Sequence, residues 1–137
     1  MRIWTLGARV PDLDREIRFV EGIGGSLVLD DRIPFEGKEF RVPLLRFGDK
    51  YLHLAEEMVY ESRLERPLPD GLCHVVFQVD ERAPAREAAL AAGAAEIAPV
   101  SQVTAGFGTR EVAFFRSPGG ILFELIRVIE AAVPEPR

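Results

Sequence analysis

The sequence has only one cysteine and two histidines in 137 residues. This excludes two common ways of stabilising a small domain, internal disulfide bonds and cysteine-rich zinc sites. The single thiol, Cys73, cannot form an internal disulfide, and the chain has no cysteine pairs with which to hold a structural zinc ion. A lone cysteine suits a reducing compartment. An apolar core must therefore hold the fold together.

Long apolar runs are also missing. No stretch approaches the roughly 18 to 20 residues that cross a bilayer. The first residues, MRIWTLGARVPD, lack the order of charged, apolar and small residues that is typical of a secretory signal. We therefore expect a cytoplasmic protein that does not insert into a membrane.

Positive charge is scarce and scattered. Lys and Arg number 17 against 22 Asp and Glu, which makes the formal net charge -5, and no basic cluster stands apart from the acidic residues. The electrostatic attraction that supplies most non-specific affinity for nucleic acid is therefore absent. We expect a small-molecule partner and no nucleic acid.

Apolar residues are plentiful, at 47% of the chain, and 137 residues is the usual size of one compact domain. We predict a single domain over residues 1–130. The last residues, AAVPEPR, read as a C-terminal tail over 131–137.

The order of predicted elements occurs twice. An apolar strand, a helix that ends at Gly22 and three β-rich runs make a β-α-β-β-β unit over about residues 1–60. The same order follows over about 70–130. FRVPLLRFGDKYLHL aligns with REVAFFRSPGGILFEL, so that Arg46 matches Arg116 and Leu54 matches Leu125. We predict an α+β fold in which two βαβββ modules in tandem form a cupped mixed sheet.

Side-chain alternation assigns the ionisable residues to one face of that sheet. In HVVFQV, Val75, Phe77 and Val79 are all apolar and should pack under the helix, which leaves His74 on the concave face. The same reasoning places His53 and Glu124 inside the bend. It also predicts that Cys73 points towards the helix.

Four segments in order resemble the vicinal oxygen chelate superfamily, which includes glyoxalases, bleomycin-resistance proteins and extradiol dioxygenases. They are RVPDLDREIRFV, VPLLRFGDKYLHL, HVVFQVD and FFRSPGGILFEL. The resemblance implies ligand positions at Thr5, His53, His74 and Glu124. Thr5 stands where many members have a histidine, and a neutral hydroxyl is a poor metal ligand. The resemblance therefore implies a divalent cation (Zn, Ni, Mn or Fe(II)) at His53, His74 and Glu124.

The same resemblance implies a metal-dependent enzyme that acts on a small oxygenated substrate, most simply by glyoxalase-like isomerase or lyase chemistry with Glu124 as the catalytic carboxylate. The alternatives are a metal-free protein that sequesters a small molecule such as an antibiotic, and a ring-cleaving dioxygenase. A homodimer is expected. The following residues are candidates to line the substrate pocket: Thr5, Arg9, Tyr51, Gln78 and Phe107.

Overall fold

The computed structural model describes residues 1–133. The first half contains, in chain order, β1 (Arg2–Arg9), α1 (Leu13–Gly22), β2 (Ser26–Leu29), β3 (Arg32–Phe35), β4 (Lys38–Arg41), β5 (Leu44–Phe47) and β6 (Lys50–Ala55). A 3-10 turn (Glu61–Arg63) leads to the second half: β7 (Gly71–Gln78), α2 (Arg82–Ala91), β8 (Ala95–Ala105), β9 (Gly108–Arg116) and β10 (Leu122–Ala131).

Eight strands form one mixed sheet in the order β2-β5-β6-β1-β7-β10-β9-β8. β1 pairs parallel with β6, β7 pairs parallel with β10, and β1 and β7 meet antiparallel at the centre. Each half therefore contributes four strands in equivalent positions about the β1–β7 junction. The predicted α+β fold with two βαβββ modules and a large mixed sheet is confirmed.

The two helices cover the outer face of the sheet. Asp12 caps α1 by accepting a hydrogen bond from the backbone N–H of Arg15. Leu13, Ile17 and Val20 recur at helical spacing and pack into one apolar cluster with the outer face of β5 and β6. α2 is Ala-rich and has no fully buried residue, so it packs more lightly on its half of the sheet.

The inner face of the sheet carries the larger apolar cluster. Trp4, Tyr51, Val76 and Ile126 belong to it, whereas Val79 packs on the α2 side. This division follows the predicted alternation along β7 and β10, because successive side chains of a strand point to opposite faces.

Two local features differ from the sequence-based expectation. The run FRVPLLRFGD is divided at Val42 and Pro43, and the residues before the break form a separate β3–β4 hairpin. Its two-residue turn is made by Glu36 and Gly37, both with positive φ. This hairpin packs over the inner face of the sheet through residues such as Phe35 and Phe40.

Cys73 does not turn towards α2 as alternation predicts. The register between β1 and β7 shifts at this point, since Gly7 pairs with His74 and Ala8 pairs with Leu72. A bulge of this kind places one extra residue in a strand and breaks the alternation. Cys73 consequently packs against the inner cluster, and its thiol donates to the carbonyl of Gly7 at 3.3 Å.

Within residues 1–133, neither helix is long and apolar enough to cross a membrane. At the C-terminal end β10 extends to Ala131, and Val133 is buried against the inner cluster. The remainder of the predicted tail, 134–137, lies outside the described residues.

Candidate active site

The candidate site lies at the centre of the cup, where the strands of the two halves meet. His53 on β6 and His74 on β7 are both backbone neighbours of Gly7 on β1, which lies between them. Glu124 on β10 pairs with Val76, two residues beyond His74. The fold thus brings together three side chains that are separated by up to 71 positions in the sequence.

His53, His74 and Glu124 line one cavity of about 50 Å³ inside the cup. Its wall is otherwise mainly aromatic and aliphatic, with Trp4, Tyr60, Phe107, Phe114, Val103, Val112 and Ile126 among its members. A space of this size holds only a few water molecules, since one water needs about 10–15 Å³ on this measure. A substrate therefore requires the cup to widen.

His74 is held between two neighbours. On one side, Gly7 leaves room for the imidazole: a methyl group at position 7 would lie 2.1 Å from Cε1 of the ring. On the other side, the hydroxyl of Tyr60 is 2.8 Å from Nδ1. Burial lowers the pKa of His74 to about 4, so its ring is neutral at physiological pH.

His53 is also buried in the cup and is 7% exposed. Its ring meets the Trp4 indole edge-on, with centroids 5.2 Å apart. Burial first, and then the charges of His74 and Arg110, lower the pKa of His53 to about 3. Its Nε2 has no hydrogen-bond partner within residues 1–133, although a buried ring nitrogen ordinarily has one.

Glu124 is the only carboxylate that lines the cavity among the described residues. Burial raises the pKa of Glu124 to about 8, and the charge of Arg110 acts against that rise. Its Oε2 lies 4.0 Å from Nε2 of His74. The cup therefore holds a carboxyl group that can gain or lose a proton close to neutral pH, beside a neutral imidazole.

Arg110 is a site residue that the sequence analysis missed. It lies on β9, is 1% exposed and lines the same cavity. Alternation could have identified it, because Arg110, Val112 and Phe114 share one face of their strand and the other two are apolar. Tyr60 had no comparable signal, since it lies outside the repeated strands just before the 3-10 turn.

The predicted pocket residues are distributed differently from what the repeat suggested. Phe107 lines the cavity, at the tip of the β8–β9 hairpin. Thr5 is buried, but it donates to the carbonyl of Leu6 and does not line the cavity. The register of β1 shifts between Ile3 and Thr5, and Trp4 supplies the lining side chain at this point.

The other three candidates also lie away from this cavity. Tyr51 is buried beside the ring of Trp4, at a centroid distance of 5.9 Å. Gln78 is buried further along β7. Arg9, at the end of β1, forms ion pairs with Glu61 and Asp70. An inward direction along a strand therefore does not by itself bring a side chain to the cavity.

The donor atoms at the site suit a divalent cation in their chemistry. Two neutral imidazoles and one carboxylate are common ligands of Zn and of Fe(II), and the Nε2 of His53 has no competing hydrogen bond within the described part of the chain. Their present positions are less favourable. No three His, Cys, Asp or Glu side chains among residues 1–133 converge on one point, and Arg110 already brings a positive charge to the cavity. Binding would require His53, His74 and Glu124 to draw together.

A cupped eight-stranded sheet built from two equivalent halves defines a glyoxalase-like domain, and comparison with known proteins agrees with that class. The chain is 30% identical to a probable lactoylglutathione lyase of Vibrio parahaemolyticus over 137 residues, which is 96% of this chain and 94% of the relative. No protein-family model matches the chain. The chain belongs to the vicinal oxygen chelate superfamily.

Solved structures show the same fold at low identity. A complex of Streptomyces coelicolor methylmalonyl-CoA epimerase with 2-nitronate-propionyl-CoA superposes with a TM-score of 0.72 at 19% identity, covering 95% of this chain and 99% of that one. A glyoxalase/bleomycin resistance protein/dioxygenase superfamily member from Vibrio splendidus superposes with a TM-score of 0.60 at 17% identity, covering 93% and 98%. These two structures and the chain thus share one fold.

Proposed function

We propose that this protein is an enzyme that transfers a proton at a carbon next to a carbonyl group in a small oxygenated substrate, by glyoxalase-like isomerase or lyase chemistry. The observation that carries the proposal is the position of Glu124, the one carboxylate that residues 1–133 contribute to a largely apolar cavity, 4.0 Å from the imidazole of His74. Proton abstraction next to a carbonyl needs a carboxylate or an imidazole shielded from water.

Glu124 is the proton carrier in this proposal. Its raised pKa supports the role, because a carboxyl group that titrates close to the working pH can both accept and return a proton. His74 is near enough to serve as a second proton carrier after a small movement. The 2.8 Å hydrogen bond between the Tyr60 hydroxyl and Nδ1 restricts the ring's orientation, and so directs Nε2 towards Glu124.

His53, His74 and Glu124 are the candidate ligands of a divalent cation (Zn, Ni, Mn or Fe(II)). When bound, such an ion would act as a Lewis acid that stabilises negative charge on the substrate oxygens. Tyr60 supports this role for His74, since a ligating imidazole usually makes a hydrogen bond through its other ring nitrogen.

A homodimer and a cytoplasmic location remain predictions.

A deuterium-exchange experiment tests the proton transfer. The protein is incubated in D2O with the hemithioacetal of glutathione and methylglyoxal, and separately with methylmalonyl-CoA, the substrates suggested by the names of its relatives. NMR should detect deuterium at the carbon next to the carbonyl. Glu124→Gln should lower the rate by at least about 100-fold, whereas Glu130→Gln, an exposed carboxylate on the same strand, should not. No exchange with either substrate, or full exchange by Glu124→Gln, would contradict the proposal.

The second candidate is a metal-free binding protein, which the separation of the three donors favours. Metal analysis of protein purified without chelator or affinity tag distinguishes the two. A stoichiometric divalent ion that is lost in both His53→Ala and His74→Ala supports the ligand set. A metal-free protein that binds small aromatic molecules without exchanging their protons supports the alternative. The remaining alternative, a ring-cleaving dioxygenase, is tested by measuring whether the protein consumes oxygen when catechols are added.

A further inference from the structure

Arg110 occupies an unusual place for an arginine. Its guanidinium lies inside the cup, with the central carbon 4.0 Å from the centroid of the Trp4 ring and 4.8 Å from that of Phe107. Its Nη2 donates to the carbonyl of Phe107 at 3.4 Å. Contacts with two aromatic rings hold the planar group in one position by cation–π attraction.

Arg110 is the only Lys or Arg among the described residues that line the cavity. Its charge reaches the centre of the site, where it favours the ionised form of Glu124 and opposes protonation of His53. Arginine suits recognition of a flat anion because its N–H groups can donate two parallel hydrogen bonds to a carboxylate.

We propose that Arg110 is a specificity-determining residue that receives an anionic, oxygen-bearing group of the substrate, such as a carboxylate, while the aromatic and aliphatic wall receives the remainder. This inference rests on the proposed function, in that it names the substrate class of the same cavity. It predicts that the cup discriminates between an anion and a neutral molecule of the same shape.

An NMR titration with matched probes tests this preference. Propionate and propionamide have almost the same shape and differ in charge. Trp4 is the only tryptophan, so its indole N–H signal reports directly on the ring beneath the guanidinium. At constant ionic strength, propionate should bind at least about 10-fold more tightly than propionamide, which corresponds to about 1.4 kcal/mol. Equal affinities in the unmodified protein would overturn the inference.

Variants locate the source of the preference. Arg110→Met should reduce it to less than about 2-fold, and Arg110→Lys should retain part of it because the charge remains and the planar group does not. Arg127→Met is the matched control, since Arg127 pairs with Glu111 outside the cavity. A preference that persists in Arg110→Met contradicts the inference. If Arg110→Met does not fold, the two probes with unmodified protein and with Arg110→Lys still decide it.

The anion-preference titration and the deuterium-exchange experiment can fail independently of each other. Anion preference without any proton transfer would refute the proposed function and leave the role of Arg110 standing. If the protein transfers the proton and Arg110→Met leaves kcat/KM unchanged, the proposed function stands and the role of Arg110 is refuted. Glu124→Gln should lose exchange and still prefer propionate.

Discussion

Replacing Gly7 with alanine should expel the imidazole of His74 from its position. The added methyl carbon would lie 2.1 Å from Cε1, 2.4 Å from Nε2 and 2.6 Å from Nδ1 of that ring. Carbon atoms in contact prefer about 3.5–4.0 Å, so the ring must move by more than about 1 Å. Gly7 does not have a positive φ, so no backbone strain adds to this clash.

The expected cost has two parts. Inserting a methyl group into a packed interior costs about 1–3 kcal/mol. Displacing the ring also breaks its 2.8 Å hydrogen bond with Tyr60, whose net contribution is about 1 kcal/mol. We therefore expect Gly7→Ala to lower the free energy of unfolding by about 2–4 kcal/mol, a large share of the roughly 5–15 kcal/mol typical of a domain.

A double-mutant cycle in urea isolates the clash. His74→Ala removes the ring, so Gly7→Ala should cost less than about 1 kcal/mol in that background. Gly119→Ala is the control, because a methyl group there meets nothing within 4 Å, and we expect a change within about 0.5 kcal/mol. If Gly7→Ala costs the same with and without the ring, the reasoning is refuted.

Three further predictions concern the same side chains. Tyr60→Phe should lower the free energy of unfolding by about 1–3 kcal/mol because it leaves the buried Nδ1 of His74 with only the weaker contact of the Cys73 thiol at 3.6 Å, and urea unfolding that matches the unmodified protein would contradict this. The lowered pKa values of His53 and His74 mean that the unfolded chain binds more protons between about pH 4 and 6.5; these rings therefore destabilise the fold as the pH falls through that window, and their NMR signals should not titrate near pH 6.5. Glu124 acts in the opposite direction, since its raised pKa makes the folded chain bind more protons between about pH 4.5 and 8; in chelator-treated protein, the stability of Glu124→Gln relative to the unmodified chain should rise from pH 5 to 8, and a constant difference would argue against the raised pKa.

The repeat and the side-chain alternation carried much of the fold prediction. Both are periodic patterns, so they can be recognised from the amino-acid sequence alone. They predicted two βαβββ modules and one shared face for His53, His74 and Glu124, and these three do line one cavity. They failed where periodicity is interrupted, as at the bulges beside Trp4 and Cys73.

For other parts of the site, neither the repeat nor the side-chain alternation was sufficient to predict their role from the sequence. Gly7 matters because of the ring of His74, which is 67 positions away and reaches it only when β1 and β7 pair. Tyr60 lies in an irregular segment whose path depends on what it packs against. Arg110 was open to the alternation argument, yet its stacking on Trp4 joins two residues that are 106 positions apart, on β9 and β1, and that only the folded sheet brings together.

The sequence by itself determined the class of fold, the doubled architecture and the face on which the ionisable residues lie, because these follow from local periodicity. The tertiary structure decided which of those residues share a cavity and how far apart their atoms are. It also placed the positive charge of Arg110 in the same cavity. It also decided their proton affinities, since the pKa values of His53, His74 and Glu124 shift mainly through burial by side chains that are distant in the sequence. Burial is a property of the assembled core, and no segment of the chain contains it alone.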